Sequence, residues 1–405
     1  MALISVAEAL AHILKGAAPL PSENATLTDA AGRVLTADVV ALRTQPPEDL
    51  SAMDGYAVRA ADVVNVPVTL DLVGEVAAGH PFAGRIEKGQ AARIFTGGVV
   101  PPGADTIVIQ ENTRRDGNHV VVNTRALPRK HIRRAGLDFE QGQILLPRGR
   151  QLTERDLMLA AAMNHPTLPV HRRPRVAVLA TGDELKPPGS ATGPGEIIYS
   201  NGFGIMAMAR SEGATVIDLG VVPDRIEDTT AAIRKARAEG ADILLTSGGA
   251  SVGDYDLVQK ALTAEGLQLS FWKIAIRPGK PLMSGRLGAM HVLGVPGNPV
   301  SAFVCSLMFL VPLMRRLAGR SDIEPKTESA LLGRDLPEND ERADYLRSTL
   351  ERKPDGSLVA TPFTVQDSSM IATLAKSDCL VIREPYASPA KAGSRCAILR
   401  LKAAL

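Results

Sequence analysis

The 405 residues carry 46 lysines and arginines against 44 aspartates and glutamates, so no whole-protein field exists to hold a polyanion or a membrane surface. Aromatics at 3% leave few stacking platforms for single-stranded nucleic acid, and three widely separated cysteines (Cys305, Cys379, Cys396) exclude a metal knuckle or disulfide framework. The length exceeds one ordinary core and predicts roughly two to four domains.

The chain opens with "MALISVAEALAHILKG", which lacks a basic leader and contains Glu8 and His12. Ser5 and Glu8 form a capping-box pattern ahead of an amphipathic helix bearing Val6, Leu10, Ile13 and Leu14. From about Leu42 to Leu146 the runs "VTLDLVGEV", "AARIFTGG", "DTIVIQEN" and "NHVVVN" read as strands separated by Gly/Pro turns, predicting a small β-rich domain. Its flanks are mixed or helical, with Thr153 and Asp156 placed to cap a helix to about Met163. The β-rich part is therefore expected as an insertion.

From Arg173 strands and helices alternate. "RVAVLATGDEL", "TVIDLGVV", "ADILLTSGG" and "MHVLGVPGNP" read as buried strands, and "SNGFGIMAMARSEG", "DRIEDTTAAIRKARAEG" and "DLVQKALTAEG" as helices. This pattern predicts a doubly wound, parallel-type α/β sheet whose strand-end loops share one ligand-binding rim. The longest apolar run, residues 300–314, reads as too short to cross a bilayer and contains Pro312. After about Asp322, "DYLRSTL", "SLVATPF" and "CLVIREP" predict a small C-terminal β domain. The expected domains are residues 1–43 with 144–172 (mixed/helical, linking), 44–143 (inserted, β-rich), 173–322 (α/β) and 323–405 (β). The N-terminal helix is a candidate to dock on another domain, and the chain is expected to be cytoplasmic.

The rim carries the chemistry. In "TSGGASVGDYD" (246–256), Ser247, Gly248, Gly249, Ser251 and Gly253 suit an anion cradle, although the loop lacks a Walker lysine and a tight turn capped by Asp254 explains the glycines equally well. "WKIAIRPGKP" offers Lys273, Arg277 and Lys280; strand alternation would put Lys273 and Arg277 on one face. "GVPGNP" supplies Pro296, Gly297, Asn298 and Pro299, a rigid bend in which Asn298 can cap a helix. Glu184, Asp224 and Asp256 lie at successive strand ends, though Asp183 or Glu184 can serve a turn and Asp224 can cap a helix carrying Glu227. Acids converging beside an anion cradle are reconciled by oxygen-liganded Mg2+ between carboxylates and phosphate.

These loops, in this order, resemble the molybdopterin molybdotransferase family, which includes MoeA and the E domain of gephyrin. The resemblance also takes in "SAMDGYAVR" (51–59), "RIFTGGVVPPGADTIVIQEN" (93–112) and "IRRAGLDFEQG" (132–142), and so covers nearly the whole chain. It implies four domains with a central molybdopterin-binding fold and a C-terminal β-barrel. It also implies a homodimer whose cleft is completed by the partner's β-rich domain. The implied activity inserts molybdate into adenylylated molybdopterin, with Mg2+-dependent pyrophosphate cleavage and release of AMP. By position, Asp54, Thr96, Asp138, Glu184, Asp224 and Asp256 match family residues implicated in activity, with Asp224 and Asp256 as the metal pair. Arg277 stands where the family often has lysine, and "SVGDYD" departs from "SVGEADY", so Asp254 and Asp256 both stay open, with Asp256 favoured. Partners implied are a molybdopterin adenylyltransferase and molybdoenzyme apoproteins, with no nucleic acid or membrane. The rival readings are a molybdopterin adenylyltransferase, a gephyrin-like scaffold, or a generic sugar-phosphate or nucleotide enzyme.

Overall fold

The structure, a computed structural model, describes residues 3–248 and 257–401, and only the backbone of Phe271 and Trp272. The chain divides into two compact units: residues 24–31 with 35–169, and residues 1–23 with 32–34 and 170–405.

The smaller unit is built on a mixed sheet in the order Thr106–Ile109, Gly55–Val58, Gln90–Ile94, Val68–Val76, His119–Val122, Thr113–Asp116. Successive side chains alternate between faces. Tyr56 and Val58 pack with Leu70 and Val120 on one side, while Ala57 packs with Ile94 and Ile107 on the other. Gly55 enters the centre of this sheet so closely that a β-carbon there would lie 2.1 Å from the Val108 carbonyl oxygen. Only glycine fits. In the same unit Thr153 and Asp156 form the predicted capping box on the helix Glu154–Ala162, with the Thr153 amide and hydroxyl each donating to Asp156 at 2.9 Å. Such a cap stabilises a helix by about 1 kcal/mol.

The larger unit contains the α/β sheet. Its strands are β1 (Arg175–Thr181), β2 (Thr215–Val222), β3 (Ile243–Ser247), β4 (Gln268–Lys273), β5 (Pro281–Leu287) and β6 (Met290–Val295), in the spatial order β2-β1-β3-β6-β5-β4. β1, β2, β3 and β6 run parallel, and β1 sits between the strands that follow it. The order therefore reverses between β1 and β3, which is the switch point where α/β sheets open a crevice at their carboxyl ends. β1, β3 and β6 are buried on both faces, and the edge strand β2 is only half-buried. Val176, Val178, Ile243 and Leu245 face the helix Asn201–Ser211 and the segment 299–317, whereas Ala177, Leu179 and Leu244 face the helices Ile226–Ala238 and Leu257–Ala264. The N-terminal helix Val6–Leu14 belongs to the first of these cores through Ala9, Leu10 and Ile13, and its capping box is present, with Glu8 N donating to Ser5 Oγ at 3.2 Å.

Three local expectations are corrected. The alternation of parallel strands is interrupted, because β4 and β5 form an antiparallel pair that leads into β6. "WKIAIRPGKP" is not one strand either. β4 ends at Lys273, and Ile276–Arg277 pairs instead with Ala343–Asp344 in the C-terminal region. The apolar run near 300–314 extends through a π-helical turn to 19 residues, Pro299–Leu317, long and apolar enough to cross a bilayer, yet 78% of its apolar window is buried as a core helix.

Beyond this sheet five strands close into a barrel: Ala343–Arg352, Leu358–Pro362, Thr327–Leu332, Arg395–Arg400 and Cys379–Arg383, the last pairing back onto the first. Closure removes the exposed edges that short strands would otherwise present. Ala330, Leu332, Ala360, Val381 and Ile398 fill its interior.

Candidate functional site

The rim at the carboxyl ends of β1, β3 and β6 is held by one side chain that sequence reasoning missed in this role. Asn201, in the first turn of its helix, donates from Nδ2 to Ser247 Oγ at 3.0 Å and to the Gly297 carbonyl at 2.7 Å. It thus ties the end of β3 to the Pro-Gly-Asn-Pro turn after β6. Gly248 continues β3 with φ +90°, where a β-carbon would lie 2.8 Å from the Thr181 carbonyl of β1 and 3.9 Å separates its Cα from the β-carbon position of Gly297. The three strand ends approach one another backbone to backbone, which only a glycine allows. Gly249, Ser251, Gly253 and Asp256 (and Asp254 with them) lie outside the described residues.

The acids cluster one strand over. Asp183 Oδ1 accepts the backbone N–H of Asp224 at 3.1 Å, so the loops after β1 and β2 are joined. Asp183 does the turn work, and Asp224 does not cap the following helix: the cap position is Arg225, without a side-chain cap bond. The Asp224 carboxylate is exposed and, among the described residues, in no ion pair. Glu184 is exposed as well, its carboxylate folded over Gly182.

The cations divide. Lys273 and Lys280 lie at the two ends of the β4–β5 connection: Lys273 is in register with Pro281, and Ile274 N donates to the Lys280 carbonyl at 3.4 Å. Neither ammonium has an ion-pair partner among the described residues. Arg277 is different. Its Nε donates to Asp344 at 2.6 Å, Nη1 to Asp340 at 2.8 Å, and Nη2 to Asn339 at 2.9 Å and again to Asp344. Four of the five guanidinium N–H groups are taken, which leaves one for the oxyanion contact expected of Arg277.

The barrel adds two further residues. Asn298 Nδ2 donates to Ser368 Oγ at 2.9 Å, and Val300 N donates to the Ser368 carbonyl at 3.0 Å, so Ser368 and not Asn298 serves the start of the helix Pro299–Cys305. Nearby, Arg347 is 1% exposed and, among the described residues, its guanidinium bonds neutral oxygens, Gln366 Oε1 at 3.2 Å and the Met370 carbonyl at 3.2 Å. Burial pushes its guanidinium below the ordinary arginine range, with Asp367 opposing. Nothing in the sequence marked either residue: Ser368 lies 70 positions from the Asn298 it meets, and Arg347 is held by Gln366 and Met370 from a separate stretch of the barrel.

In the smaller unit Asp54 and Thr96 form a pair. Thr96 N donates to Asp54 Oδ1 at 2.7 Å and its hydroxyl to the same oxygen at 2.8 Å. The pairing follows from register, since Gly55 faces Ile94 in neighbouring antiparallel strands. The Thr96 amide and hydroxyl hold the Asp54 carboxyl below the usual carboxylate range, with a smaller pull from Arg93. Arg93 itself stacks on Phe95 and Tyr56, 4.7 and 5.2 Å from the ring centroids. Asp138 is exposed, anchored by its backbone N–H to the Gln45 carbonyl at 3.0 Å, and shares no hydrogen bond with Asp54 or Thr96 among the described residues.

Three family models match in chain order: the MoeA N-terminal region (domain I and II) over residues 4–164, a probable molybdopterin binding domain over 177–316, and the MoeA C-terminal region (domain IV) over 329–401. A Haemophilus influenzae protein named molybdopterin molybdenumtransferase is 34% identical over 94% of both chains. A Nostoc protein of the same name is 40% identical over 74% of this chain and 70% of its own. Among solved structures, the molybdopterin biosynthesis MoeA protein from Pyrococcus horikoshii superposes with a TM-score of 0.83 at 29% identity, covering 100% of both chains. Matched by three family models in chain order and by a relative 34% identical over 94% of both chains, this chain belongs to the MoeA family, whose curated members bear the name molybdopterin molybdenumtransferase.

Proposed function

We propose that the chain is a molybdenum insertase of cofactor biosynthesis. It takes molybdate and adenylylated molybdopterin as substrates, places the metal at the dithiolene sulfurs, and cleaves the pyrophosphate link to release AMP. The observation that carries this reading is the rim at the β1–β3 switch point, where Asn201 ties together a glycine-lined crevice on a sheet edge that also carries exposed carboxylates and two lysines without an ion pair among the described residues. Such a rim suits a ligand that is both phosphorylated and metal-bridged.

The described acids fit Mg2+ as the required ion. The donors at the rim are carboxylate oxygens without histidine or cysteine, which suits a hard cation and not zinc. Among the described residues no group of three or more His, Cys, Asp or Glu converges. That agrees with an ion held by one or two carboxylates together with substrate phosphates. Asp224 and, from the sequence, Asp256 would hold it, and the ion would withdraw charge from the pyrophosphate when bound. The chain's own groups do the rest: Ser247 and the Gly248 backbone line the crevice, Lys273 and Lys280 attract the oxyanion, and Asn201 keeps the crevice open. Asp54, Thr96, Asp138 and Glu184 complete the proposed catalytic set, in a homodimer.

An adenylyltransferase would use a similar central sheet, but the match to the molybdenumtransferase relative runs through the N-terminal and C-terminal segments as well. A single-turnover assay with purified chain, adenylylated molybdopterin, molybdate and Mg2+ should release AMP. D224N and D256N should bind the pterin and release little. Wild-type chain that releases no AMP, or variants that release it at the wild-type rate, would sink the assignment.

A further inference from the structure

The β4–β5 connection, residues 274–280, is held by the N-terminal segment, where Ala275 N donates to the Ile4 carbonyl at 2.8 Å, and also at its own base and tip. At its base Lys273 is in register with Pro281, and Ile274 N donates to the Lys280 carbonyl at 3.4 Å. At its tip Ile276–Arg277 forms a parallel pairing with Ala343–Asp344 of the barrel, and Ala343 N donates to the Ala275 carbonyl at 2.9 Å. Arg277 then closes the tip as a fork. Two of its donors chelate Asp344, a third reaches Asp340, and a fourth reaches Asn339. The acceptors are fixed in turn. The Asp344 side chain is 8% exposed, and Asn339 Nδ2 donates to the carbonyls of Arg342, Glu384 and Arg383 at 2.8, 2.9 and 3.2 Å.

The charge arithmetic decides the role. Arg277 and Arg342 together face Asp340 and Asp344, so this corner is neutral and holds no surplus positive charge to draw an oxyanion. An anion taking Arg277 would also strip a buried carboxylate of its partner, which is costly. Lys273 and Lys280 carry no such commitment. A lysine at position 277 would supply a point charge and lose the planar fork that matches Asp344 in two bonds.

We propose that Arg277 is a positioning residue that fastens the 274–280 loop to the barrel, so that the loop with Lys273 at its root and Lys280 at its end keeps one shape for the oxyanion, and the barrel becomes a working part of the anion site. The oxyanion half of this statement rests on the function proposed above; the fastening half does not.

The test uses the full chain and four variants: R277K, R277Q, D344N and the double R277Q/D344N. Molybdate alone is titrated calorimetrically, and hydrogen exchange is followed over residues 274–280. R277K and D344N should each weaken molybdate binding about tenfold, the worth of one charge-assisted bond. The double variant should be no weaker than either single change, because each removes the same fork. Amide exchange in the loop should rise in all four. If R277Q abolishes binding while D344N leaves it unchanged or tighter, Arg277 is a ligand and the proposal falls. Should the wild-type chain bind no molybdate, the proposed function fails on its own, and the exchange measurement still decides the fastening: unaltered loop exchange in D344N and R277K overturns it.

Discussion

Asn201 holds the Gly297 carbonyl at 2.7 Å while the same amide nitrogen reaches Ser247 Oγ at 3.0 Å. One neutral side chain therefore spans from the first helix of the sheet to the ends of two later strands. Replacing it with alanine leaves a hydroxyl and a carbonyl without their donor, at a cost of about 1–3 kcal/mol. N201A is expected to melt earlier than wild type and to bind adenylylated molybdopterin more weakly, whereas N201D, which cannot donate, should do no better than alanine. Equal pterin affinity in wild type and N201A would show that the crevice keeps its shape without this bridge.

Gly248 makes a stricter demand. At φ +90° and with the Thr181 carbonyl 2.8 Å from the β-carbon position, alanine meets both backbone strain and a clash. The left-handed strain alone costs about 1–2 kcal/mol. G248A should lose more than that and should separate β1 from β3 at their carboxyl ends, which a drop in pterin affinity larger than that of N201A would report. A stable G248A with native affinity would contradict the close approach.

Much of this was legible because the physical signal was local. Continuous apolar runs marked β1, β2, β3 and β6, and the Ser5–Glu8 and Thr153–Asp156 pairs marked two helix starts that the structure forms as read. What escaped depended on partners distant in sequence. β5 begins at Pro281 and follows a Pro-Gly turn, so it carried a loop's composition. Arg277 looked like an anion ligand because charge is visible in a sequence and its acceptors at 340 and 344 are not. The run that begins at Ser200 was legible as a helix, but the acceptors of Asn201 come from the end of β3 and the turn after β6.

Thr96 sets the charge state of Asp54. Its amide and hydroxyl both donate to Oδ1, and the carboxyl is held below its usual range for that reason first. A folded-state value below the unfolded one contributes stability that is full above the ordinary carboxylate range and fades as pH falls through the lowered value. T96V removes one donor and T96S keeps both, so the Asp54 carboxyl carbon, followed by NMR, should titrate higher in T96V and as wild type in T96S. Identical titrations in all three would leave the backbone amide as the sole cause.

His291 makes the larger unit sensitive to mild acid. It lies on β6 and is 5% exposed, its Nε2 beside the Arg286 guanidinium. Burial first, and then Arg286, push the imidazole from its ordinary 6.5 down to about 4, against the pull of Asp242. Between those values the unfolded chain binds a proton that the folded chain does not, so stability rises with pH across that window. The contribution is complete above pH 6.5, is lost progressively as pH falls towards 4, and stays flat below, where both states are protonated. Glutamine at 291 cannot take up the proton, so H291Q should flatten the slope of stability against pH between about 6.5 and 4, whatever it does to absolute stability. Urea melts of wild type and H291Q at closely spaced pH values measure that slope directly. Parallel slopes would mean that His291 is protonated in the folded sheet, and that Asp242 outweighs burial.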